Sequence, residues 1–451
     1  MAAKPETIAQ LARALQAREI TSEAVTDRCL AAIAEKNPTL NAFIAVLADD
    51  ARAQAKEADR EIAAGRWRGP LHGVPISLKD LMDLRGTATT AASRVRDGHM
   101  ATGDAEVVTH LRAAGAVFVG KCNLHEFAFG TTNEDSAFGP ARHPVDPSRS
   151  PGGSSGGSAV SVATGMAFAS IGTDTGGSIR IPSAACGLVG LKATVGEIST
   201  AGVVPLSRTF DHVGPLCRSV ADAAIVFDAL RGKPHEALRS REARGIKLGL
   251  PREYFLSLLD PQVASTFESA CERLRSNGVT IEEVHVPHAN DIAPIYLHVV
   301  LAEAAAYHAK TLESRPDDYA PNVRVRLEMG RYILAEDLVR GLRGCEVLRR
   351  EVTAALEGFD ALILPTLPIP APKLGAATVR VGTSEEPVRN ITLRLTQPFN
   401  VSGHPAITVP CGHTIDRLPV GAQLVGAFGR TRELLEVAAA LESYLTPGAS
   451  R

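Results

Sequence analysis

Gly152-Gly153-Ser154-Ser155-Gly156-Gly157-Ser158 and Gly172-Thr173-Asp174-Thr175-Gly176-Gly177-Ser178-Ile179-Arg180 set two serines, Ser154 and Ser178, twenty-four positions apart in a glycine-rich tract. Glycine has no Cβ, so backbone amides there can approach a ligand closely and take positive φ. A serine after Thr175-Gly176-Gly177 sits where consecutive amides can point at one oxygen. That is how a site holds a developing oxyanion. The tract points to an enzyme that attacks a carbonyl with a serine. The apolar run Ala159 to Ile171 between the two glycine clusters reads as a buried helix followed by a core strand.

Outward from the tract, stretches with helical apolar spacing alternate with short apolar runs. Helices are expected over Ile8 to Leu15, from Thr21-Ser22 to about Glu35, over Ala51 to Ala64 and over Glu106 to Ala114. The Thr21 and Ser22 hydroxyls suit an N-cap. Gly73 to Asp80 reads as a short strand ending in a lysine, and Val117 to Gly120 as a buried strand. Downstream, helices over 219–230, 262–276, 291–312, 336–356 and 432–444 alternate with strands over 246–250, 279–284, 361–364 and 406–409. Strands separated by helices predict an α/β fold around a largely buried sheet. Proline and glycine cluster at 365–375 and 382–387, which read as long loops.

The composition narrows the partners. A chain of 451 residues with 45% hydrophobic and 22% charged residues is ordinary for a globular protein. A net charge of -2 gives no reason to expect nucleic acid or an acidic membrane as partner. Seven scattered cysteines with no C-x-x-C spacing fit reduced thiols and a cytoplasmic setting. The N-terminus leads into an amphipathic pattern, and no uninterrupted apolar stretch approaches membrane-spanning length.

Three familiar chemistries can be set against the motifs. Gly152-Gly153-Ser154-Ser155-Gly156 matches Gly-x-Ser-x-Gly, the nucleophile elbow of an α/β-hydrolase, whose histidine partner here would be His212. That elbow needs a strand directly before the serine, and Pro144, Pro147 and Pro151 stand there instead. No phosphate-cradling Gly-x-x-x-x-Gly-Lys-Ser/Thr occurs. The 13 histidines show no His-Glu-x-x-His or short His/Cys pairing, so neither a metal nor a cofactor is expected.

The motifs taken in order resemble the amidase signature family. The resemblance is carried by residues 73–80, 121–127, 152–158, 172–180, 186–192, 210–215, 363–366 and 397–406. It covers most of the chain and is weakest between about 235 and 355. It implies a single domain over 1–451, built as an α/β/α sandwich with a mixed, mostly parallel twisted sheet covered by helices. It also implies a catalytic core over 73–215, a signature tract over 152–192 and a variable, mostly helical substrate-side region over 235–355. By motif position the nucleophile is Ser178, the bridging serine Ser154, which follows a cis peptide bond, and the base Lys79. The amides of Thr175, Gly176, Gly177 and Ser178 would form the oxyanion hole.

The chemistry follows from the residue types. An alcohol is a poor nucleophile until a base takes its proton. A lysine is charged at neutral pH unless burial lowers its pKa. A lysine closing a strand is ordinarily a surface residue, but Val74, Ile76, Leu78 and Leu81 around Lys79 argue for burial. Ser155 and Thr173 are expected to brace Lys79 or Ser154, and Asp174 and Arg180 to pair and fix the loop. Phe127, Phe129 and Phe138 are candidate pocket walls, with core packing the plainer reading of each. The expected ligand is a small-molecule amide, ester or carbamate, and the expected state a monomer or homodimer. The resemblance leaves open a biuret- or allophanate-type hydrolase and a glutaminyl-tRNA amidotransferase A-like subunit. The latter usually carries a Ser-Asn…Arg-x-Asp-Gly segment, which is not found between 285 and 335. A non-catalytic binding subunit is the remaining alternative.

Overall fold

Pro75-Ile76-Ser77-Leu78-Lys79 is buried at all five positions, as a strand covered on both faces must be. It is one of thirteen strands among residues 7–446, which the computed structural model describes. In chain order these are β1 (Phe43–Val46), β2 (Pro75–Lys79), β3 (Val117–Cys122), β4 (Ala169–Asp174), β5 (Val189–Lys192), β6 (His212–Cys217), β7 (Lys247–Pro251), β8 (Thr280–Val284), β9 (Ala361–Pro365), β10 (Thr378–Val381), β11 (Ser384–Pro387), β12 (Ala406–His413) and β13 (Pro419–Val425). Eleven form one sheet in the order β1-β3-β2-β4-β6-β5-β12-β13-β9-β7-β8.

The sheet is mixed and covered by helices on both faces. Parallel ladders join β3 to β2, β2 to β4, β9 to β7 and β7 to β8. Its other ladders are antiparallel. The parallel share is therefore smaller than helix–strand alternation suggests. Each antiparallel ladder of this sheet contains β1, β5, β6 or β13, short strands that the apolar spacing leaves unassigned. Each parallel ladder joins two strands that it does assign.

Side chains alternate across β9. Ala361 and Ile363 enter one apolar cluster and Leu362 and Leu364 the other, the two-residue period of a strand buried on both sides. The first cluster is covered by helices that include Ser22–Leu40, Val220–Leu230, Pro261–Ser276 and Thr431–Leu445. The second is covered by Ile292–Ser314, Pro321–Gly330 and Ala335–Ala355.

Local signals explain most boundaries. Ser219 accepts from the Asp222 amide and starts one helix, and Asp260 followed by Pro261 starts another. The helix capped by Thr21 continues past Glu35, through Pro38, to Leu40, and ends at Asn41 in the left-handed region, φ 50°. The stretch 382–387 is not a loop throughout: β11 pairs with β10 in a hairpin that turns at Gly382, φ +60°. The helix Pro321–Gly330, unread in the sequence, begins on a proline at its first turn. One helical stretch, Ala289–Ser314, is long and apolar enough by composition to cross a bilayer. Here Tyr296, Val299, Val300 and Ala304 on it are buried in the second cluster, and Glu303 receives the Ser207 and Thr209 hydroxyls. All seven cysteines are buried.

Candidate active site

Because β2 and β4 lie side by side and parallel, their carboxyl ends share one edge of the sheet, where α/β folds place their ligands. β2 delivers Lys79 there, fully buried. Its Nζ donates to Ser154 Oγ at 2.7 Å and to Thr173 Oγ1, near the end of β4, also at 2.7 Å. Ser154 follows a cis Gly153–Ser154 peptide bond and leads into the helix Gly156–Ala163. No strand precedes it, so the nucleophile-elbow context is absent at Ser154. Ser178 lies in the turn between β4 and the short helix Arg180–Ala185.

The turn is held from several sides. Ser155 donates its amide to the Ser178 carbonyl (3.3 Å) and its hydroxyl to the Thr173 carbonyl (3.2 Å). It braces the strand end rather than touching Lys79. Arg180 and Asp174 pair while buried, Nη2 to Oδ1 at 2.9 Å and Nε to Oδ2 at 3.0 Å. The same guanidinium reaches Thr396 O (2.9 Å), Gln423 Oε1 (2.7 Å) and Asn400 Oδ1 (2.6 Å).

Thr396 Oγ1 donates to the Gly176 carbonyl at 2.7 Å, which turns the Gly177 N–H to the opposite side of that planar peptide. Among the described residues, none of the amides from Thr175 to Ser178 donates a hydrogen bond, and none joins the Ser154 and Ser178 hydroxyls. Gly177 is required by its backbone. It has φ +139°, and a Cβ there would stand 2.2 Å from Thr396 Oγ1.

Burial brings the Lys79 ammonium down to about 7, against the opposing pull of Asp174 and Asp211. Asp174 is held well below the usual carboxylate range, because Arg180 and Asn400 outweigh its own burial. Burial raises Asp211 to about 6, although Thr175 Oγ1 (2.6 Å) and the Leu206 and Ser207 amides bind it. His212 starts β6 with Nδ1 2.7 Å from the Phe210 carbonyl and Nε2 3.3 Å from Lys192 Nζ. Burial, then Lys192, lowers it to about 3, so it is neutral at ordinary pH.

Ser178 opens into a small pocket that Phe129, Gly176, Tyr296, Arg389 and Leu393 also line. Of the three aromatic candidates only Phe129 is there. Phe127 is a core residue packed on His308 and Tyr319, and Phe138 is 42% exposed, outside the pocket. Sequence reasoning names none of Tyr296, Arg389 and Asp211, although Tyr296 falls within the 235–355 region expected on the substrate side. Asp211 stands in the 210–215 motif, which is a signal that could have found it. Tyr296 lies inside a long helix and Arg389 just past the 382–387 stretch, on a six-residue helix too short for a period to show. Among the described residues no group of three or more His, Cys, Asp or Glu could hold a metal ion.

The fold has counterparts. A family model described as Amidase matches residues 24–435. An amidase of Pseudomonas putida is 41% identical over 428 residues, covering 91% of this chain and 90% of that protein. A Glutamyl-tRNA(Gln) amidotransferase subunit of Roseiflexus sp. (strain RS-1) is 36% identical, covering 96% of this chain and 94% of that protein. A crystal structure of an amidase superposes with a TM-score of 0.93 at 36% identity, covering 98% of this chain and 100% of that one. The chain belongs to the amidase signature family of hydrolases.

Two substitutions test how the turn is held. Arg180→Gln leaves Asp174 buried without its partner, so urea denaturation should show a loss of about 3–5 kcal/mol. Gly177→Ala forces a side chain into an occupied space at positive φ. It should cost on the order of 1–3 kcal/mol in the same assay and lower any activity that depends on the turn.

Proposed function

We propose that this chain hydrolyses carboxylic amide C–N bonds through an acyl-enzyme on Ser178, with Ser154 and Lys79 carrying the proton. The observation that supports this most is a buried lysine, with its pKa near neutrality, in hydrogen-bond contact with Ser154, whose neighbour Ser155 holds the Ser178 carbonyl. Ser178 Oγ attacks the carbonyl carbon. Its proton passes to Ser154, and the Ser154 proton passes to Lys79 Nζ. The relay needs the Ser178 hydroxyl turned toward Ser154, a step between staggered rotamers, and such bonds often tighten only when substrate is bound.

The new oxyanion is received by the unengaged amides of the 175–178 turn, where each donor is worth roughly 2.7–4 kcal/mol in other hydrolases. Collapse breaks the C–N bond, and the relay runs backwards to protonate the leaving amine. Water then attacks the acyl-enzyme by the same route and frees the acid. Esters, with easier leaving groups, and carbamates, with the same carbonyl geometry, are plausible further substrates.

A second reading follows from relatives such as the Roseiflexus protein: a glutaminase-like subunit that works with partner chains. A free-standing enzyme instead turns over small amides alone, so assaying the purified chain against aryl and aliphatic amides separates the two.

Ser178→Ala should lower kcat/KM by at least about a thousandfold. Unchanged hydrolysis would remove Ser178 as nucleophile. The base works only when neutral. Log kcat/KM should therefore fall with unit slope as pH drops below about 7 and level off above it. Lys79→Ala should cost about 10²–10⁴-fold and erase that ionisation; a profile that keeps it would assign the base elsewhere.

A further inference from the structure

Arg389 projects from the helix Val388–Leu393 into the Ser178 pocket, and it is the charged residue among those that line it. Among the described residues its side chain makes no ion pair, and its buried Nε has no hydrogen-bond partner. Burial holds its pKa below the ordinary guanidinium value, and no carboxylate opposes that pull. Arg389 as a whole is half-buried, but its Nε is out of solvent, and buried donors are almost always satisfied. A guanidinium left open beside a candidate nucleophile is a binding group waiting for an anion.

The surroundings agree. Arg326 is a second cation nearby, which burial and then Arg389 bring down to about 10. It is spent on the Phe129 carbonyl at 2.7 Å. Asp135, which acts on Arg326, accepts from Asn322 at 3.2 Å and lies 3.2 Å from His125 Nε2. Glu386 and Arg389 both line a neighbouring pocket, where Glu386 receives the Ser384 hydroxyl and forms no ion pair with Arg389. Asp211 and Asp174 act on Tyr296 from the β4 side of the pocket, and neither pairs with Arg389. A guanidinium fork matches a planar carboxylate with two parallel hydrogen bonds. The cavity beside Ser178 is small, about 10 Å³, so what it admits is short.

We infer that Arg389 binds a carboxylate of the substrate, so that the amides cleaved at Ser178 are short acids. This rests on the acyl-transfer reading above and names its substrate class. The carboxylate sits either on the acyl side, as in a monoamide of a dicarboxylic acid, or on the leaving-amine side, as in an N-acylated amino acid.

Two matched pairs test it. Succinamic acid is compared with the neutral amide that has an isopropyl group in place of the carboxylate, and N-acetylglycine with N-isobutylacetamide. At least one acid should exceed its neutral twin in kcat/KM by on the order of 100-fold, and the pair that does so tells which side carries the charge. Arg389→Gln should reduce that ratio by about the same factor, and Arg389→Lys by less. Equal rates within both pairs, or a ratio unmoved by Arg389→Gln, overturn the inference.

Binding is read separately by calorimetry on Ser178→Ala protein. The acid should bind more tightly than its twin, and the preference should vanish in Ser178→Ala/Arg389→Gln. If Arg389→Gln fails to fold, the wild-type ratios and the Arg389→Lys variant still decide. Turnover that survives Ser178→Ala would instead sink the acyl-transfer reading, whatever the charge preference.

Discussion

The buried pair of Arg180 and Asp174 closes the segment on which the site depends. Asp174 is the last residue of β4 and Arg180 the first of the following helix. Ser178 lies between them. The Asp174 carboxylate also receives the amides of Ile179 (3.2 Å) and Arg180 (3.4 Å). One carboxylate thus clamps both ends of the turn, and the guanidinium bolts it to residues 396, 400 and 423. Burying two charges costs several kcal/mol per ion unless every remaining donor and acceptor is satisfied. That explains why Arg180 has so many partners.

The same pair shapes the electrostatics of Lys79. An isolated Asp174 would draw a proton onto the amine. With Arg180 in contact, much of that negative charge is already answered, and burial becomes the larger influence on Lys79. A polar clamp and a lysine titrating near neutrality are therefore linked. The bonds that hold the turn in place also loosen the carboxylate's hold on the lysine proton. Thr173 and Asp174 divide this work by alternation along β4: the first side chain goes to Lys79 and the second to Arg180.

Much of this was legible in the order of the glycine motifs. Lys79 and Ser154 meet as the resemblance implies, Thr173 joins them, and Asp174 pairs with Arg180. The Ser155 contact differs because its hydroxyl lies nearer the Thr173 backbone than the amine. The long helices were readable because amphipathic spacing is local. Strands β5, β6 and β13 were not, since four to seven residues buried on both faces carry no alternation to detect, and β1 is four residues of which only the first is buried. Phe127 and Phe138 illustrate a second limit. Their separation in sequence from Phe129 is small, yet one turn of left-handed backbone at Phe127 and Ala128 sends neighbouring rings to different places. Arg389 shows the third: nothing in a sequence says that a basic residue will be left without a counter-charge.

The seven buried thiols have a practical meaning. Burial pushes Cys271, Cys345 and Cys411 up to about 12, so few thiolates exist at neutral pH and reagents cannot reach them. Alkylation of the native chain must wait for the structure to open. The cysteines serve as a built-in clock of breathing motions, spread from the first helices to β12, and that clock can be read without touching Ser154 or Ser178.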